Sequence, residues 1–217
     1  MEFVISLFCF LIFFYFLYIL GKDDYYLMRK NFLIEHLFDF TFVGIFTGFI
    51  LGRIISIVVH ASIRGAVFSL TDMVLGCLLA FYLIGKYQKL ALARLFDFLS
   101  LAFLACLPVW YLLNIFFVKK NEVIIYIAVG LCYLVVFIIF WRVLLPQIIG
   151  NKHREGSLTS LFLIMFSFLT LLASFTHKFF SPFFLLEIED ILLTVVFLVS
   201  FVYLFRAEKK WLFGRKT

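Results

Sequence analysis

The sequence predicts an all-α integral membrane protein, a single domain of seven transmembrane helices over residues 1–217. Of its 217 residues, 65% are hydrophobic and 15% are charged, whereas a soluble domain has an apolar share of roughly 45–50% and a charged share of about 25%. The apolar residues stand in continuous runs, without the period-two alternation of a membrane β-barrel. A spanning helix needs about 20 mostly apolar residues, so seven of them would leave only short loops.

Each predicted helix is an apolar run that ends at polar residues. The seven runs lie near residues 3–20, 37–60, 67–85, 95–117, 123–145, 158–177 and 188–205. The first run follows Glu2 where a signal peptide would carry basic residues, and no small-residue cleavage pattern follows Leu20. We therefore predict that the first run is a permanent span.

The basic residues predict the orientation of the chain. Of the 19 Lys and Arg residues, fourteen lie in the C-terminal tail or in and beside the loops after the first, third and fifth helices. Four lie on the opposite side: Arg64, Lys119, Lys120 and Lys178. Cytoplasmic loops are enriched in Lys and Arg, so the N-terminus is predicted outside and the C-terminus in the cytoplasm. This distribution accounts for the net charge of +6 through topology and anionic lipid, and we expect no nucleic-acid partner.

Three glycines stand four residues apart in the second helix. Gly44, Gly48 and Gly52 share one helix face, and such a face lets another backbone approach closely. The pattern predicts packing against a neighbouring helix of the bundle, with self-dimerisation as the alternative.

Arg53 is an ionisable residue within a predicted span, towards its outer end. Such residues are costly in a bilayer and are candidates for function. A guanidinium can hold a phosphate or carboxylate through two hydrogen bonds. The alternative is that the side chain extends to the outer interface, with its head in water.

Several other polar groups lie near predicted helix ends. Asp39, Asp72 and Asp97 fall near helix starts, where a carboxylate caps free N–H groups. Asp97 also follows Arg94 by three residues, the spacing of an ion pair within a helix. Asp72 lies on the predicted outer side and could share a region with Arg53.

The predicted outer side also carries two histidines, His60 and His177, and the acidic segment 187–190. Their spacing matches no common zinc motif, so we predict no metal and no cofactor. Asn114 lies near the outer end of the fourth helix, where a buried amide would need a partner or a ligand.

Four segments resemble one family, the bacterial prolipoprotein diacylglyceryl transferases. They are Glu35–Val58 with Gly52-Arg53-Ile54, then Phe96-Asp97-Phe98, Gly156-Ser157-Leu158 leading into Leu161–Ile164, and Asp190-Ile191-Leu192. The resemblance rests on helix order and loop character, and it covers most of the chain. It implies a seven-helix enzyme of the bacterial inner membrane with its N-terminus outside. Such an enzyme transfers diacylglycerol from phosphatidylglycerol to the cysteine of a prolipoprotein.

The chain departs from this family at its motifs. Thr71-Asp72-Met73 stands where the family has His-Gly-Gly, and Trp110–Phe117 keeps only Asn114 of Gly-Arg-x-Gly-Asn-x-x-Asn. Thr170 and Ser174 stand where the family has an Arg and a Glu. The family's large region between its fourth and fifth helices is reduced here to about residues 118–122.

Two hypotheses of different classes follow from the resemblance and its departures. In the first, the chain is a divergent transferase in which Arg53 and Asn114 bind the lipid phosphate and Asp72 or Glu189 acts as the base. In the second, it is a non-catalytic relative that binds a phospholipid, a prolipoprotein or another membrane protein. Both hypotheses place the chain in the bacterial inner membrane as a multi-pass protein.

Overall fold

The computed structural model describes residues 2–22, 34–60, 70–88, 92–118, 122–149, 155–179 and 187–214. These residues form helices joined by short turns, with no strand among them. The predicted all-α class is therefore confirmed for the described part of the chain.

The described residues form seven helices in chain order. They are α1 (Glu2–Lys22), α2 (Ile34–His60), α3 (Leu70–Tyr87), α4 (Leu92–Asn114), α5 (Val123–Ile139, continuing through Phe140–Leu144 and Leu145–Ile149), α6 (Ser157–Phe179) and α7 (Ile188–Gly214). Most ends agree with the predicted bounds to within a few residues. However, α7 extends well beyond its predicted end at residue 205. The added turns contain Ala207, Glu208, Lys209 and Lys210, which are good helix formers although they are mostly polar.

Six of these helices are long and apolar enough to cross a membrane, among the residues that the structure describes. Their candidate spans are Phe38–Val58, Leu70–Tyr87, Leu92–Asn114, Val123–Ile148, Ser157–Thr176 and Ile188–Arg206. The apolar stretch in α1, Leu7–Lys22, is shorter. Six such helices in one chain are the pattern of a multi-pass membrane protein.

The chain divides into two compact units. The first, called here the α2–α3 unit, comprises residues 17–95, and the second, called the α4–α7 unit, comprises residues 1–16 and 96–217. In the α2–α3 unit, Phe40 near the start of α2 lies against Phe81 near the end of α3, with ring centroids 5.4 Å apart. Further along α2, Gly52 lies against Asp72 in the first turn of α3. The two helices therefore run antiparallel.

The core of the α4–α7 unit is centred on α4. Leu101, Ala102 and Leu104 have no exposed side-chain surface, so several faces of this helix are covered at once, as expected of a central helix in a bundle. The Phe103 ring lies 4.8 Å from the Phe13 ring of α1 and 6.4 Å from the Phe162 ring of α6, measured between centroids. Aromatic packing therefore joins α1, α4 and α6.

Helix α5 contains one turn of π-helix, over Phe140–Leu144. Pro146 follows this turn, and a proline inside a helix has no N–H to donate and crowds the carbonyl four residues before it, here that of Arg142. Widening the turn relieves this crowding. The helix then continues to Ile149.

The structure revises the prediction that three aspartates cap their own helices. Asp39 lies beyond the first turn of α2, which begins at Ile34, and its side chain is exposed. Asp97 lies beyond the first turn of α4, which begins at Leu92. Asp72 does lie in the first turn of α3, where its side chain is buried.

Asp97 instead caps the start of a different helix, α6. Its carboxylate accepts hydrogen bonds from the Gly156 N–H at 2.7 Å, the Thr159 N–H at 2.9 Å and the Thr159 hydroxyl at 2.9 Å. Gly156 has a φ of 90°, a conformation that residues with a Cβ rarely adopt. The carboxylate therefore fixes the start of α6 against α4, at the end of α6 that favours negative charge.

Candidate functional site

The three glycines of α2 all face α3. A Cβ placed on Gly48 would lie 2.6 Å from the Cα of Cys77, and one placed on Gly52 would lie 2.8 Å from the backbone oxygen of Asp72. A Cβ on Gly44 would overlap the Phe81 ring. A Cβ on Gly76 of α3 would come 2.6 Å from the carbonyl oxygen of Gly48. At Gly48, Gly52 and Gly76 the α2–α3 contact is thus one of backbone on backbone, which favours glycine at these positions.

Arg53 lies beside this contact but its side chain is exposed. The large apolar residues that precede and follow it on α2 are also exposed: Phe46, Phe49, Ile50 and Ile54. In a bilayer this surface of α2 faces lipid. The Arg53 side chain therefore belongs to this exposed, mainly apolar surface of α2, near the end of the helix that follows the glycines.

Asp72 lies at the same level of the α2–α3 unit as Gly52, because its backbone contacts that glycine. Its side chain is 2% exposed. A carboxylate so buried cannot accept a proton from a substrate thiol unless the structure around it first opens, since general-base catalysis requires hydrogen-bond contact with the group being deprotonated.

Asn114 ends α4. Its side-chain amide donates to the Trp110 carbonyl at 2.8 Å, within the same helix. Its backbone carbonyl accepts from the N–H groups of Phe117 at 2.9 Å and Val118 at 3.2 Å. These bonds satisfy groups that a helix end leaves free, and they give Asn114 a structural role as a helix terminator.

A buried ion pair joins the end of α6 to the start of α7. Lys178 and Asp190 form this pair, and their residues are 8% and 1% exposed. Asp190 also accepts hydrogen bonds from the Ser174 hydroxyl at 2.8 Å and the Glu187 N–H at 3.0 Å. The Lys178 ammonium lies 3.6 Å from the Glu187 carboxylate. The carboxylate of Asp190 thus has three donors around it, which is what a buried charge requires.

A group of hydroxyls lies deeper along α6. The Tyr133 hydroxyl is 3.2 Å from the Thr170 hydroxyl and donates to the Phe166 carbonyl at 3.3 Å. The Tyr111 ring stacks on the Tyr133 ring with centroids 5.5 Å apart. Glu189 is half-buried in the first turn of α7.

The predicted site residues therefore divide between the two compact units. Arg53, Asp72 and the glycines belong to the α2–α3 unit, and Asn114 and Glu189 belong to the α4–α7 unit. The side chains of His60 and His177 lie outside the described residues. Within the described part of the chain, no three His, Cys, Asp or Glu side chains converge as metal ligands would.

One cleft in the α2–α3 unit lies away from these residues. It has a volume of about 240 Å³ and is lined by His36, Asp39, Phe40, Val43 and Gln88. It lies between the start of α2 and the end of α3, whereas Arg53 and Asp72 lie towards the other end of the same helix pair.

The sequence patterns did not predict the Lys178–Asp190 pair, because Lys178 lies one residue beyond the predicted end of the sixth helix and Asp190 belongs to the acidic segment 187–190. The positions of the two residues relative to the helix ends do indicate the pair. Lys178 lies one residue before α6 ends at Phe179, and Asp190 lies two residues after α7 begins at Ile188. In a hairpin of two adjacent helices, residues just before and just after the connection come close together.

Comparisons with known protein families, with curated proteins and with solved structures find no match to this chain. The candidate site is therefore interpreted from its own geometry.

Proposed function

We propose that the chain is a seven-span protein of the bacterial inner membrane that binds an anionic phospholipid, of the phosphatidylglycerol type, through Arg53. Its N-terminus is outside and its C-terminus cytoplasmic, with α1 as the additional span. One observation carries the binding proposal: the Arg53 side chain is exposed among exposed apolar residues of α2, beside the glycine contact with α3. At the outer end of a span, lipid phosphate is the abundant anion, and a guanidinium binds phosphate through two hydrogen bonds.

The geometry favours binding without catalysis. One of the two candidate bases, Asp72, is buried. Asn114, a candidate ligand of the lipid phosphate, is engaged with its own helix. The buried charges of Asp97 and Asp190 are held by contacts that stabilise helix ends. These structural roles leave fewer groups for catalysis, which supports the proposal that the chain binds lipid without transferring it.

Diacylglyceryl transfer is the second candidate function, and the partial exposure of Glu189 favours it. A base that deprotonates a substrate thiol must be reachable, and Glu189 meets that requirement where Asp72 does not. Glu189 would then act at the α6–α7 end of its unit.

One experiment separates the two functions. The chain is expressed in bacteria depleted of their own diacylglyceryl transferase, with phosphatidylglycerol labelled in its diacylglycerol part. We expect label to purify with the folded chain as intact lipid, and no label to appear in a model prolipoprotein. Transfer of label to the prolipoprotein, lost in Glu189→Gln, would establish the enzyme instead. Absence of both bound lipid and transfer would refute the proposed function.

A further inference from the structure

Helix α7 continues past the membrane span that it contains. The candidate span ends at Arg206, whereas the helix ends at Gly214. Residues 207–214 therefore extend the helix by about 12 Å, at 1.5 Å per residue. Because the helix is unbroken, positions in this extension keep the register of the span.

Three basic residues stand on one side of α7 where the span ends. Arg206 is exposed, and Lys209 and Lys210 follow it by three and four residues, the spacing of neighbours on a helix surface. Glu208 is the one acidic residue of the extension, and it stands two residues after Arg206, on the opposite side of the helix. The basic residues are therefore grouped on one side.

The same side of α7 is apolar and exposed within the span. Val195, Val199 and Val202 precede Arg206 by eleven, seven and four residues, which is the helical repeat of one face. All three valines are exposed, whereas Leu193, on the other side of the helix, is buried. An exposed apolar stripe of α7 thus leads to the basic group.

This arrangement matches the two parts of an anionic phospholipid. Acyl chains fill the depth that an apolar span crosses, and the phosphate lies where the span ends. Along the axis, Lys209 and Lys210 lie about 4.5 and 6 Å beyond Arg206. Both distances are shorter than the Debye length of about 8 Å at physiological salt, so salt does not fully screen these charges from the headgroup.

The sequence adds two more basic residues, Arg215 and Lys216, directly after the described helix. A group of four to eight Lys and Arg residues next to the end of a membrane span attracts anionic lipid. The end of α7 has five such residues within residues 206–216.

We infer that this side of α7 binds an anionic phospholipid of the leaflet next to the C-terminus. Its acyl chains lie along the three valines and its phosphate at Arg206, Lys209 and Lys210. We call these six residues the α7 lipid site. The site uses no residue of the Arg53 proposal. That its leaflet is the cytoplasmic one rests on the orientation in the proposed function.

The test is quenching of a single tryptophan by lipids that carry bromine on their acyl chains. Tyr203→Trp places the reporter at an exposed position one turn before Arg206. The three native tryptophans, Trp110, Trp141 and Trp211, are replaced by phenylalanine. The chain is placed in nanodiscs of mixed phosphatidylglycerol and phosphatidylcholine, with bromine on one lipid at a time. The ratio of the two quenching values gives the relative affinity of the two lipids at this surface.

Three variants are compared in this reporter chain. The test variant changes the three basic residues of the α7 lipid site to glutamine. The matched control removes the same charge from exposed residues at the predicted cytoplasmic ends of other helices, Lys22, Lys86 and Arg142. The third variant is Arg53→Gln. Gel filtration and thermal stability confirm that each variant is folded.

We expect the reporter chain to favour phosphatidylglycerol by at least about tenfold, because each Lys or Arg near an anionic leaflet raises affinity up to roughly fivefold. The test variant should lower this preference to less than about twofold. The matched control and Arg53→Gln should keep it. Salt at about 1 M should reduce it, since the Debye length is then about 3 Å.

Four results would overturn the α7 lipid site. They are equal quenching by the two lipids in the reporter chain, equal loss of preference in the test variant and the matched control, loss of preference in Arg53→Gln, and competition by millimolar glycerol phosphate. The last would indicate a site for soluble anions. Both leaflets of the nanodisc hold the same lipids, so these results bear on the site and are independent of the orientation.

Discussion

Replacing Asp97 by alanine tests the contact that fixes the start of α6. The substitution removes all three hydrogen bonds of the carboxylate, to the Gly156 N–H and to the N–H and hydroxyl of Thr159. Gly156 is buried, so its N–H would lose its partner in a place where water does not readily replace it. The first turn of α6 would then carry free donors.

The magnitude follows from the number and type of bonds lost. Loss of a helix N-cap costs about 1–2 kcal/mol, and a hydrogen bond to a charged group contributes about 1.5–3 kcal/mol. Three bonds to a charged group would together contribute more than either of these figures. Against this gain stands the cost of burying the carboxylate of Asp97, which is 1% exposed, and that cost is several kcal/mol. We therefore expect Asp97→Ala to lower the free energy of unfolding by about 3 kcal/mol, roughly a hundredfold in the equilibrium constant.

Two further variants grade the effect. Asp97→Asn keeps one acceptor oxygen and should lower the free energy of unfolding by about half as much as Asp97→Ala. Thr159→Val removes only the hydroxyl and should lower it by about 1 kcal/mol. Thr176→Val is the control, because its hydroxyl bonds only to the Leu172 carbonyl of its own helix and is exposed. Reversible unfolding in mixed micelles gives the four values. An Asp97→Ala variant as stable as Thr176→Val would refute the cap.

Two other substitutions and one oxidation test contacts in the two units. Gly48→Leu should destabilise the α2–α3 pair by about 3 kcal/mol because its side chain would overlap the backbone of α3, and Gly48→Ala should have a smaller effect. Unchanged thermal stability in detergent would contradict the close approach. Lys178→Met should lower the free energy of unfolding by about 3–5 kcal/mol, because Asp190 would be buried without its cation, and adding Asp190→Leu should restore much of that loss. Equal stability of the single and double variants would contradict the pair. Copper-catalysed oxidation should form a disulfide between Cys9 and Cys106, since the Cys106 sulfur lies 3.1 Å from the Cys9 carbonyl oxygen. Intact mass before and after reduction would reveal the disulfide. Its absence would count against the α1–α4 contact.

The helices were predictable because a bilayer demands long apolar runs, and such runs are visible without knowledge of tertiary contacts. Their partners were not predictable. Asp97 and Gly156 are 59 residues apart, and spacing within a helix gave no indication that the carboxylate would cap α6. The glycine spacing of α2 predicted a close approach, but Cys77 and Asp72 could be identified as its neighbours only from the structure.

The candidate site was less predictable than the fold, because its groups come together from separate helices. Asp72 and Asn114 were chosen for their chemistry and depth, yet the first is enclosed and the second bonds within its own helix. The Lys178–Asp190 pair depends on how α6 and α7 meet. Thr170 marked only the loss of a family motif, and its partner Tyr133 lies on another helix.

The most direct test of the lipid-binding account is the amount of phosphatidylglycerol that purified chains retain in native mass spectrometry. Arg53→Gln is compared with the wild type and with Arg142→Gln, which removes an exposed arginine from α5 near its predicted cytoplasmic end. We predict that Arg53→Gln lowers the affinity about tenfold or more, as expected for the loss of charge-assisted hydrogen bonds to phosphate. Arg142→Gln should leave this binding close to that of the wild type. Equal retention by Arg53→Gln and the wild type would contradict the account.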